Sequence, residues 1–91
     1  MQNKSIQRQE KLREKLISEK SLFESFLKLL EEGIAEYRAD PEGLNAGGWV
    51  ISGVHSIKAY AEAVQNQAKE VEKIRSQLNE EIFAYLRENR K

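Results

Sequence analysis

No cysteine occurs in this chain, which excludes disulfides and thiolate metal ligands as sources of stability or chemistry. There is one histidine, His55, and no second histidine or glutamate stands at the helical spacing that makes a metal-binding pair with it. It also lacks a carboxylate close in sequence to serve as half of an acid–base pair, so it is expected to be structural or surface-exposed. Neither a metal nor a cofactor is therefore expected, and no catalytic residue is nominated. No stretch approaches the roughly 18 consecutive apolar residues of a membrane span. The start, Met1-Gln2-Asn3-Lys4-Ser5, runs into charged residues where a signal peptide would turn apolar. A soluble, cytoplasmic protein without membrane contact is the expectation, with leaderless secretion as the alternative.

Excess charge of either sign is absent too. Fifteen basic and fifteen acidic side chains cancel, which argues against a nucleic-acid partner, because phosphate binding normally requires a distinctly basic face. The charges are nevertheless unevenly placed. Residues 1–20 carry a net +3, residues 21–46 a net −4 and residues 47–91 a net +1.

What is present is seven-residue periodicity. Val50, Ile57, Val64, Val71, Leu78 and Tyr85 fall seven apart, and a second row four residues further on comprises Val54, Ala61, Ala68 and Ile82, interrupted by Arg75. In the first half Leu16, Phe23, Leu30 and Tyr37 repeat the spacing, with Leu27 and Ile34 as the companion row. Alternating steps of four and three mark helices that pack lengthwise on other helices. Leu22, Phe26 and Leu29 widen the apolar face of the first helix beyond a narrow seam, as suits a helix with two neighbours. Ile74 is expected to replace Arg75 in the seam as the helix drifts from a strict seven-residue repeat.

The proline of Asp40-Pro41-Glu42-Gly43 bars helix at the residue before it, and the glycine suits a turn. The expected fold is a single all-α domain over residues 1–91: helix 1 over about 5–38, a turn over 39–45, helix 2 over about 46–89. The start of helix 2 lies between Asn45 and Ser56, because Gly47, Gly48 and Gly53 weaken helix there. Ser21-Leu22-Phe23-Glu24 matches a capping box and offers a later start for helix 1. A short connection makes the helices an antiparallel hairpin. A lone hairpin cannot enclose a core, so a homodimeric four-helix bundle is expected.

The function that follows is non-enzymatic: a helical protein–protein interaction module, serving as an adaptor, assembly or scaffold component. The alternative is an inhibitor-like regulator or immunity-type protein that binds one target protein. Partners would be a second copy of the chain and another protein. The expected association surface is Phe23, Phe26, Leu27, Leu30, Ile34, Val50, Ile57, Val64, Val71 and Leu78. Trp49 is expected to plug the turn end of the bundle, with an exposed binding anchor as the alternative. Arg87, Arg90 and Lys91 join the basic start of helix 1 in an open end that would contact an acidic partner, while Glu31, Glu32, Glu36, Asp40 and Glu42 collect at the turn.

In outline the chain resembles the WXG100 secreted proteins, small helical hairpins with a tryptophan near the turn. Their Trp-x-Gly signature is not met, because three residues separate Trp49 from Gly53, and their Tyr-x-x-x-Asp/Glu tail is not met, because Asn89 stands four residues after Tyr85. Leu12-Arg13 and Asp40-Pro41-Glu42 are faintly similar to fragments of the dimeric helical chorismate mutases. That fold needs a third helix and inward-facing basic residues, and the seam here is filled by Val, Ile and Ala.

Overall fold

The computed structural model describes residues 4–42 and 53–89, which contain two α-helices, α1 (Lys4–Ala39) and α2 (Gly53–Glu88), each of 36 residues. Trp49, Val50, Arg90, Lys91 and the expected start of helix 2 near Ala46 lie outside the described residues. At about 1.5 Å per residue, each helix is roughly 54 Å long. Their contacts run in opposite directions along the chain: Arg8 with Glu81, Glu19 with Gln67, Gly33 with Tyr60, Tyr37 with Gly53. The helices are therefore antiparallel, forming a hairpin of 70 × 18 × 15 Å.

Helix α1 is continuous through Ser21, so the capping-box start is not used. Instead the Ser25 hydroxyl donates to the Ser21 carbonyl, four residues back, at 3.2 Å. At the turn, the Asp40 amide donates to the Glu36 carbonyl at 3.1 Å, and Pro41 then ends the helix. Arg38 and Arg87 occupy the last turns of α1 and α2, where a cation suits the helix dipole. The Asn89 side chain donates to the Tyr85 carbonyl at 2.8 Å and closes α2.

The seam between the helices is built differently from the apolar pattern. On α2, the Ile57, Val64, Val71, Leu78, Tyr85 row does face α1, with Leu78 buried and Ile57 against Gly33. Its companion is the row four residues before it, Gly53, Tyr60, Gln67, Ile74 and Glu81, each of which touches α1 or is buried. The Val54, Ala61, Ala68, Ile82 row lies on the outer side of that seam, and Val54 is 58% exposed. The same holds for α1. Gln9, Leu16, Phe23, Leu30 and Tyr37 alternate with Ser5, Leu12, Glu19, Phe26 and Gly33, while Leu27 and Ile34 fall outside.

Steps of +4 and −4 from one row turn to opposite sides of it, and each helix has turned toward its polar and glycine-containing row. Ile74 does replace Arg75. It is fully buried, whereas Arg75 is exposed and its Nε donates to Glu72 at 3.0 Å.

Candidate interaction surface

Polar groups interrupt the seam in two places. Midway along the hairpin, the buried Gln67 amide nitrogen donates to the Glu19 carbonyl at 3.0 Å and also to its carboxylate. One residue of slip would strand the Gln67 amide in an apolar setting, so this rung fixes the register of the two helices. At the open end, Ser5 and Gln9 are buried, and the Gln9 amide donates to the Ser5 hydroxyl at 3.4 Å. Beside them Arg8 Nε donates to Glu81 at 2.8 Å, with its outer nitrogen 2.7 Å from the same oxygen.

The hydrogen bond from Arg8, and a second with Ser5, hold the Glu81 carboxyl below the usual carboxylate range; the same contact raises the Arg8 guanidinium. Such a depressed carboxylate stabilises the fold at neutral pH. As pH falls through the ordinary carboxylate range the unfolded chain takes up its proton first, and the contribution is gone once folded Glu81 protonates as well. Thermal melts of the wild-type chain should therefore fall between pH 7 and pH 3 more steeply than those of Glu81→Gln. Parallel curves would remove this ion pair from the acid response. Arg8 is 57% exposed, so the difference should be small and reduced by salt.

Seven of the ten residues expected to form an association surface fall on the rows that face the other helix of the same chain. Phe23, Phe26, Leu30, Ile57, Val64, Val71 and Leu78 line the intrachain seam; Leu27 and Ile34 sit on its outer edge, and Val50 is outside the described residues. Because the helices are antiparallel, an equal turn around each carries both outer rows to the same edge of the hairpin. Leu27, Ile34, Val54, Ala61, Ala68 and Ile82 thus share one face, with Ile6 (40% exposed) at its open end and Ile17 (69%) just beyond. Leu22 and Leu29 lie on the opposite edge, 44% and 38% exposed, where Arg8, Lys15, Glu36 and Glu70 make the surroundings more polar.

Two residues past Glu81, Phe83 points to the outside of α2 and is 68% exposed, so it fills no part of the seam. With Leu86 and Arg87 it lines a shallow depression near the end of α2. Arg87 is the one member of the expected basic contact set among the described residues, and it is exposed. The open end is less basic than α1 alone implies, since α2 brings Glu80, Glu81 and Glu88 to it.

His55 is exposed, as are Glu31, Glu32 and Glu36. Among the described residues no group of three histidine, aspartate or glutamate side chains is placed to hold a metal ion. None of the described helices is long and apolar enough to cross a membrane. Among the described residues the apolar edge is flanked by the exposed charges of Arg13, Lys20, Glu24 and Glu31. No family model matches this chain, and neither the curated proteins nor the solved structures contain a match to it.

Proposed function

We propose that this chain is a non-enzymatic helical interaction module, an adaptor or assembly component, whose hairpin pairs with a second copy in a four-helix bundle. The observation that carries the proposal is the set of apolar side chains outside the seam, Leu27 and Ile34 on α1 and Val54, Ala61, Ala68 and Ile82 on α2, in rows interrupted by Arg13, Lys20 and Arg75. Within the hairpin Ile74 and Leu78 are the buried apolar side chains of the described residues, while seven large ones are exposed. The accessible surface supports it. The chain exposes 7507 Å², against about 5,400 Å² for a typical folded monomer of this mass. The excess, roughly 2,000 Å², is larger than the ~800 Å² each partner buries in a standard interface.

Light scattering across a concentration series tests this reading: a mass of twice 10.5 kDa or more is expected, and a monomer at about 100 μM would sink it. Ile17→Asp places a charge on a side chain that is 69% exposed in the hairpin. It should lower the mass toward that of a monomer while leaving the intrachain seam intact. Unchanged mass would take Ile17 out of the interface.

A second reading, a regulator that binds one target protein, is favoured by Phe83 and Leu86. These stand 68% and 57% exposed beside Arg87. Exposed aromatic and arginine side chains are the residue types that anchor protein interfaces. A tagged pull-down from the native host separates the two readings. One unlike protein at fixed ratio, lost on Phe83→Ala, favours the regulator; recovery of the chain alone favours assembly.

A further inference from the structure

We infer that the second copy lies antiparallel to the first, turn end over open end, with α1 packed on α1 through the edge that carries Ile17 and Leu27. The inference rests on the self-association proposed above and adds a face, an orientation and a register to it.

Helix α1 is an electric dipole in its own right. Its residues 4–20 carry six basic and three acidic side chains, and residues 21–39 carry two basic and four acidic ones. A turn-to-turn stack would gather the basic halves of both copies together, whereas reversal sets each basic half against an acidic one. Its outer edge alternates Arg13, Ile17, Lys20, Glu24, Leu27 and Glu31 in steps of four and three, the spacing of a second packing seam. That edge lies about a quarter turn around the helix from the seam with α2, where a neighbour in a four-helix bundle belongs.

Reversing one α1 over another about its midpoint, near residue 22, overlaps the two helices along almost their whole length. In that register Arg13 meets Glu31 of the second copy, Lys20 meets its Glu24 and Ile17 meets its Leu27, each twice by symmetry. All four charged side chains are exposed. Among the described residues the salt bridges are Arg8–Glu81 and Arg75–Glu72, which leaves these four available to a partner.

The test is a charge swap. Arg13→Glu sets like charges together at two symmetric places and should weaken dimerisation roughly three- to thirtyfold. Adding Glu31→Arg to the same chain restores opposite charges and should return the dissociation constant to within about threefold of wild type. Residues 13 and 31 lie about 27 Å apart along one helix, so no contact within a single copy can produce the recovery.

The absence of cysteine allows single nitroxide labels as an independent check. Labels at Ala35 should be roughly 40 Å apart in the dimer, and labels at Ser21 within roughly 20 Å, from the rise per residue. A monomeric wild-type chain would overturn the self-association and this inference with it. A stable dimer in which the swap gives no recovery, or in which the Ala35 labels are as close as the Ser21 labels, would overturn the arrangement alone. Recovery together with the long Ala35 distance supports both.

Discussion

Ile74→Ala is expected to cost about 2–5 kcal/mol, the range for emptying a fully buried isoleucine site, and to abolish most of the helicity at room temperature. The side chain has 0% exposure and sits beside Leu78 in a seam otherwise made of half-buried and polar contacts. Few neighbouring groups can collapse into the space that truncation leaves. The hairpin has little stability to lose, because two helices bury few apolar side chains and small domains have only a few kcal/mol in hand. Arg75→Ala, one residue along, removes an exposed side chain paired with Glu72 and should stay within about 0.5 kcal/mol of wild type. Urea titrations of helicity at one fixed protomer concentration check both, since association itself adds stability. If the two variants melt together, the side of α2 that faces α1 has been misassigned.

The pair Ile74 and Arg75 also marks how far the fold was legible in the sequence. Two long helices, their antiparallel course and the break at Asp40-Pro41 follow from seven-residue spacing and turn chemistry, which are local properties. Which side of each helix turns inward is decided by its neighbours. Counting apolar residues favours the Val54, Ala61, Ala68, Ile82 row as the companion on α2, because its alternative contains Gly53, Gln67 and Glu81. The hairpin selects that alternative, since its polar members find partners on α1: Gln67 bonds Glu19 and Glu81 bonds Arg8.

Hydropathy does not register such pairing, because each group looks unfavourable until its partner is known. Ser5, Gln9 and Gln67 are buried for this reason, and single-chain periodicity carries no sign of it. The same choice leaves the apolar row half-buried on the outer edge, with Val54 58% exposed. Leu27 and Ile34 lie on that edge by their helical position, and Phe26 falls on the row that faces α2.

Gly33→Leu is expected to splay the turn end of the hairpin, and Tyr60→Ala to reverse most of the damage. A Cβ on Gly33 would sit 3.3 Å from Tyr60 Cδ2 and 3.6 Å from Cε2, so the ring already occupies the space a side chain needs. The arrangement recurs in mirror sense nearer the turn, where a Cβ on Gly53 would lie 3.1 Å from Tyr37 Cδ2 and 3.5 Å from its Cα. Each helix thus presents a tyrosine to a glycine of the other, and the missing side chains are what allow two rings into so thin a structure.

A glycine inside a helix sacrifices about 1 kcal/mol against alanine, a cost the close approach offsets. Leucine at 33 regains helix propensity but overpacks against the ring, a penalty of about 1–3 kcal/mol. Tyr60→Ala alone removes ring contacts and leaves a gap beside Gly33. Combined, the leucine fills the gap, so the double variant should be more stable than the sum of the single effects by at least about 1 kcal/mol. Denaturation midpoints for the four chains of this cycle give the coupling directly. Additive effects would mean that Tyr60 leaves its place at no cost and that the glycine is not there to admit it.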